Sequence, residues 1–192
     1  MSVPRVARDA YREAAPVLVA SAGGGLLAGV VLGGMHEQFR AVPGLLVLVP
    51  ALLATRGNVY GSLGARVATG LHQGLVDPRL DVGDERLRAV TVAALLSGVA
   101  TSAFAAAAAS LLLVGLGRTV RAGVLVAVAV TSGLLSGVVL AAVVLGVVTA
   151  GYRRGFDPDA LVGPVVTTAG DVFGVTFLLV AVRLVLAVAG GT

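Results

Sequence analysis

The chain of 192 residues carries 57% hydrophobic and only 12% charged side chains, with a formal net charge of +4. A soluble domain carries about 25% charge, so this composition excludes one and describes an integral membrane protein. The charges sit mainly in short stretches between apolar runs, as in a polytopic helical bundle, and give no footing for a nucleic-acid surface.

There is no cysteine, which removes disulfides and thiolate metal centres, and aromatic residues make up 4% with no Trp, so recognition by stacking is not expected.

The chain opens with MSVPRVARDAYREAAP, charged and amphipathic, with no cleavable signal pattern. Residues 1–15 are expected to be a helix on the cytoplasmic membrane surface, ahead of a transmembrane domain over 16–192. A helix crosses the hydrocarbon core with about 20 apolar residues. Five runs meet that length: Pro16 to Met35, Pro43 to Leu71, Val90 to Leu116, Gly123 to Gly151, and Ala160 to Gly190. The expected fold is therefore all-α, with five transmembrane helices. Glycines recur four apart at 25, 29 and 33, at 57 and 61, at 133 and 137, and at 170 and 174, as on helices whose backbones pack closely. Asp157 before Pro158 reads as a helix cap followed by proline in the first turn.

Arginines set the expected orientation. Arg5, Arg8, Arg12, Arg79, Arg86, Arg88, Arg153 and Arg154 flank one side, against Arg40, Arg118 and Arg121 on the other. The positive-inside rule then puts the amino terminus in the cytoplasm and, after five spans, the carboxyl terminus outside a plasma membrane.

Two runs carry polar residues at depth. The second, PALLATRGNVYGSLGARVATGLHQG, holds Arg56, Gly57, Asn58 and Ser62 among further glycines. The fifth holds Thr167, Thr168 and Asp171, the one carboxylate inside any of the apolar runs. An aspartate at that depth costs about 2.5–3.5 kcal/mol, which places it in the bundle interior or a solvated path. Pro50, Pro164 and the glycines predict interrupted helices whose free carbonyls coordinate a cation. Thr167 and Asp171 are four apart, as are Asn58 and Ser62, so each pair shares a helix face. One charge among neutral oxygens suits a hard cation, and magnesium, which keeps much of its water shell, needs few protein ligands. The alternatives are a structural ion pair between Asp171 and Arg56, and a simple interhelical hydrogen bond for Asn58. No catalytic constellation or phosphate-binding loop is present, so neither an enzyme nor a nucleotide-driven pump is expected.

At these residues the chain resembles the membrane domain of the MgtE-type magnesium transporters and their eukaryotic solute-carrier relatives. The resemblance rests on PALLATRGNVYGSLGARVATGLHQG and on DPDALVGPVVTTAGDVFG, and covers Pro43 to the carboxyl terminus. It implies a five-helix domain that dimerises, with a cation pore at the protomer interface lined by the second and fifth helices. Asp171 matches the pore aspartate, Gly57 and Asn58 the Gly-Asn element, and Thr167 a position offering a main-chain oxygen. Ser62, Thr168 and Arg56 are further pathway or gating candidates. The cytosolic amino-terminal and CBS domains of bacterial members have no counterpart in these residues, which gives the expectation of a stand-alone half. Many members have Gly where this chain has Arg56, so a heterodimer with a Gly-Gly-Asn partner stands beside a homodimer. The function expected is passive divalent uptake, magnesium first, driven by the membrane potential, with no cofactor beyond the transported ion. The competing expectations are a cation exchanger and a non-conducting membrane subunit or scaffold.

Overall fold

A computed structural model describes residues 3–79 and 83–190, with side chains throughout except at 3–7, 9, 10, 12–14, 16, 17 and 159–161. Asp81 of the acidic second loop and the side chains of Arg5 and Arg12 therefore lie outside the described residues.

Among the described residues six helices follow in order: α1 (Val3–Gly33), α2 (His36–Ala41), α3 (Leu45–His72), α4 (Glu85–Gly115), α5 (Ala122–Arg153) and α6 (Pro158–Ala189). Four described stretches are long and apolar enough to cross a membrane: α3, α4, α5 and Val162–Ala189 within α6. Among the residues whose side chains are described, the apolar part of α1 is Leu18–Gly33, 16 residues that reach about 24 Å at 1.5 Å per residue; Pro16 and Val17 just ahead of it lie outside them. The backbone from Val3 to Gly33 is one uninterrupted helix, so the amino-terminal segment continues into the first run without a break.

Local chemistry sets several helix ends. Asp84 caps α4, its Oδ1 accepting the N–H groups of Arg86 at 2.8 Å and Leu87 at 3.0 Å. Gly44, with φ of 94°, turns the chain from α2 into α3 in a conformation other residues avoid. Pro158 opens α6 directly after Asp157, as its missing N–H favours.

The expected interruptions are absent. α3 runs through Pro50, Gly57 and Gly61, and α6 through Pro164 and Gly170, without losing helical backbone. Membrane helices tolerate such residues when neighbouring helices and hydroxyl side chains satisfy the freed groups.

α5 is the central post, packed against α3, α4 and α6, while α3 also meets α4 and α6, and α1 docks on α6. The core divides into two apolar clusters along the bundle. One gathers Leu48, Leu52, Ala106, Val128, Ala129 and Val175. The other gathers Tyr60, Leu63, Ala94, Leu140, Val144 and Val166. On each of these four helices the switch between clusters brackets the small and polar residues: Arg56 on α3, Gly98 and Ser102 on α4, Ser132 and Ser136 on α5, and Asp171 and Gly174 on α6. A polar layer thus crosses the middle of the bundle.

Candidate functional site

Arg56 anchors that layer. It is 3% exposed, and its guanidinium turns inward from α3 toward α5. Nε donates to the Ser136 hydroxyl at 2.8 Å and Nη2 to the Ser132 hydroxyl at 2.6 Å. The Ser136 hydroxyl in turn donates to the Ser132 carbonyl at 2.6 Å. Nη1 lies against α6, where a Cβ added at Gly174 would stand 3.2 Å from it, so the absence of a side chain there lets the arginine pack closely. Nη1 and the nearby Tyr60 hydroxyl are buried without a hydrogen-bond partner. Among the described residues no carboxylate pairs with Arg56, so the structural ion pair with Asp171 is not formed. The guanidinium is packed in the core behind the exposed face of α3.

Asp171 occupies the α1 side of α6 and is half-buried. A Cβ at Gly25 would stand 4.0 Å from its Oδ2, and the adjoining contact is a hydrogen bond of 3.0 Å between the hydroxyls of Ser21 and Thr168. Small residues on α1 thus bring its backbone beside the carboxylate. Asp171 makes no hydrogen bond or ion pair to a described residue.

Thr167, one turn earlier, is exposed, and its hydroxyl donates to the Gly163 carbonyl at 2.9 Å. Because α6 is continuous, the Thr167 carbonyl is committed to the helix, bonding toward residue 171. The Thr167 main-chain oxygen that the resemblance implies is therefore a helical carbonyl in this conformation.

Most outward-facing membrane helix surfaces in this protein are bulky and apolar, as with Leu96, Phe104 and Leu111 on α4 or Leu26, Leu27 and Val30 on α1. α3 is different. Its uncovered face presents Ala54, Gly57, Asn58, Ser62 and Ala65. Leu53 and Gly64 both pack on α6, against Gly174 and Val162 respectively, and Gly57 falls on their side of the helix. A Cβ at Gly57 would meet nothing within 4 Å, so the α3 backbone is open next to α6. Asn58 and Ser62 point the other way, into a groove with α4 of about 470 Å3 whose far wall includes Ala93 and Ser97. Within one chain, Gly57 stands on the α6 side of α3, whereas Asn58 and Asp171 open on different edges. Among the described residues, no three of His, Asp and Glu gather as a metal-holding group.

Three participants were missed in the sequence. Ser132 and Ser136 sit in a strongly apolar run, and only their four-residue spacing marks them as one face toward a buried cation. Tyr60 fills the space between α4 and α5 beside Gly98 and Gly137, which nothing in α3 alone signals.

Residues 49–181 match the family model of the MgtE divalent cation transporters. The chain is 30% identical over 175 residues to solute carrier family 41 member 3 of Rattus norvegicus, covering 86% of this chain and 36% of the relative. It is 27% identical over 170 residues to solute carrier family 41 member 2 of Homo sapiens, covering 81% of this chain and 28% of the relative. The chain thus spans about a third of the length of these relatives. The matched stretch runs from the first turns of α3 to within α6, taking in both polar runs and the central layer, and the chain is a multi-pass membrane protein of the MgtE divalent cation transporter family.

Proposed function

We propose that this protein conducts divalent cations, magnesium first, passively across the plasma membrane, and that two copies enclose the path between them. The observation that carries this reading is the placement of Asp171: the one carboxylate in the apolar spans, half-buried, unpaired with any described residue, on an edge of α6 with Thr167 exposed one turn away. An unneutralised carboxylate at that depth is costly unless a cation or water meets it.

The small and polar face of α3 supports pairing. Lipid offers no reward to Gly57, Asn58 and Ser62 on an outer surface, whereas a second copy does, through close backbone approach and polar contact. The partner is then another copy of this chain, or a related half bearing glycine at the position of Arg56. Pairing also brings together Asn58 and Asp171, which one chain leaves apart, and an ion among so few charges is held through its hydration shell. α1 serves as the fifth span, its short apolar part completed by its continuous helix, with the amino terminus in the cytoplasm. An inside-negative potential supplies about 2.3 kcal/mol per charge per 100 mV, so a divalent ion enters without ATP.

The test is flux into liposomes holding the purified protein under an imposed potential, with magnesium, calcium and sodium compared. Magnesium entry that rises with inside-negative potential supports the proposal. Absence of divalent flux returns the chain to the scaffold reading, and flux that requires a counter-cation gradient to the exchanger.

A further inference from the structure

Two cavities meet along the α3–α4 interface. One, of about 300 Å3, lies near the connection between the helices and is lined by Arg66, Thr69, Gln73, Val76 and Arg86. The other, of about 470 Å3, extends toward the middle of the bundle past Ala89, Val90 and Ala93. Arg66, Ala89 and Val90 line both, so the two form one continuous groove.

Its ends differ in chemistry. The end near the connection gathers two guanidiniums with the Gln73 amide and the Thr69 hydroxyl. Arg66 and Arg86 are exposed, and among the described residues neither is paired with a carboxylate. The nearby Asp84 caps the start of α4, its Oδ1 accepting two backbone N–H groups, and forms no ion pair with either arginine. Glu85 is exposed in the same first turn and lines neither cavity. Toward the bundle centre Ala89, Val90 and Ala93 of α4 face Val59 and Leu63 of α3 across a mostly apolar slot, with Asn58, Ser62 and Ser97 also in its lining. Positive charge at the helix ends leading into an apolar slot matches a phosphate joined to an acyl chain. A free phosphate uses only the first half of this groove, and a packed protein helix has no need of two unpaired cations.

We propose that the α3–α4 groove binds an anionic phospholipid, with its phosphate on Arg66 and Arg86 and one acyl chain along Ala89, Val90 and Ala93. The groove lies on the α4 side of α3, away from Gly57; it shares Asn58 and Ser62 with the face proposed for pairing, and lipid retention in detergent is read without reference to ion flux. Arginines near the membrane surface attract anionic lipid electrostatically, and two of them give a preference of about thirtyfold over a zwitterionic lipid.

The experiment adds phosphatidylglycerol or phosphatidylcholine of the same acyl chains to the full-length protein in detergent, following retained lipid by native mass spectrometry and thermal unfolding. Phosphatidylglycerol is expected to be retained preferentially and to raise the unfolding midpoint. The double variant Arg66→Gln, Arg86→Gln should bind both lipids alike. Ala93→Phe, which fills the slot and leaves every charge in place, should also release phosphatidylglycerol. Arg118→Gln, at the opposite end of α4, should change nothing. Equal retention of the two lipids in the wild type overturns the proposal, as does an unchanged preference in the double arginine variant. Equal loss with Arg118→Gln, showing general surface attraction, also overturns it. So does an equal shift from soluble glycerol phosphate, showing a phosphate site without a lipid.

Discussion

The side chain of Arg56 donates from Nε to the hydroxyl of Ser136 across 2.8 Å, tying α3 to α5 through a buried cation that has no carboxylate partner among the described residues. Removing this arginine therefore strands no opposite charge, whereas removing its acceptors strands the arginine. Arg56→Met is expected to fold normally, because the stem packing is kept. Replacing Ser132 and Ser136 together by Ala should destabilise the protein by at least about 1–3 kcal/mol, the cost of an unsatisfied buried group, and more for a charged one. Unfolding midpoints in one detergent rank the two variants, and the reverse order contradicts the account.

The same geometry bears on transport. With its charge held in the core, Arg56 is a fixed cation behind the proposed path, and Arg56→Met should retain or raise divalent flux. A collapse of flux in a folded Arg56→Met protein would show that the arginine acts on the path itself.

Tyr60 provides a second contrast. Its hydroxyl is buried without a partner and close to Gly98 and Gly137. Tyr60→Phe removes an unsatisfied group while keeping the ring, so stability should be unchanged or higher. Gly137→Ala places a methyl group on the hydroxyl and within 3.2 Å of Cζ, and should cost about 1–3 kcal/mol through overpacking. Thermal unfolding of the two variants checks both signs.

α1 is held to α6 where Gly24 faces Thr168. A Cβ at Gly24 would stand 2.6 Å from the Thr168 methyl group and 3.4 Å from the Thr168 backbone, which leaves no room for a Leu side chain even after Thr168→Cys, whereas one at Gly29 meets nothing within 4 Å. The chain has no cysteine, and the Ser21 and Thr168 hydroxyls lie 3.0 Å apart, so Ser21→Cys with Thr168→Cys makes a clean reporter. Oxidation should crosslink this pair efficiently, also with Gly29→Leu added, and poorly with Gly24→Leu. Equal crosslinking in both would remove α1 from its observed place.

The apolar runs were legible because a membrane imposes one length and one composition on them, and α3 to α6 begin and end within a few residues of the predicted limits. The first run is a helix as expected, with Leu18–Gly33 as its apolar part among the described residues. Pro50 and Pro164 misled for a physical reason. A proline removes one helical hydrogen bond, and in a packed bundle the neighbouring helices keep the axis intact. Asp171 and Asn58 stood out because polar groups at membrane depth are rare. That they open on different edges was invisible, since it depends on which neighbours α3 and α6 take. The acceptors of Arg56 were equally hidden, because they are two serines on α5, far along the chain.

The two polar positions of α3 should not be equivalent. Asn58→Leu removes an amide from the uncovered face, while Ser62→Ala removes one small hydroxyl from the same groove. Transport should fall more with Asn58→Leu, and normal flux in that variant would take the Asn58 side of α3 out of the path.

The central claim is that Asp171 meets the transported cation, and Asp171→Asn tests it most directly because it removes the charge and keeps the shape. The measurement is magnesium uptake into liposomes under an inside-negative potential, with wild type and variant matched for reconstituted protein and unfolding midpoint. The account predicts that the folded variant loses most of the uptake; uptake at the wild-type rate would contradict it.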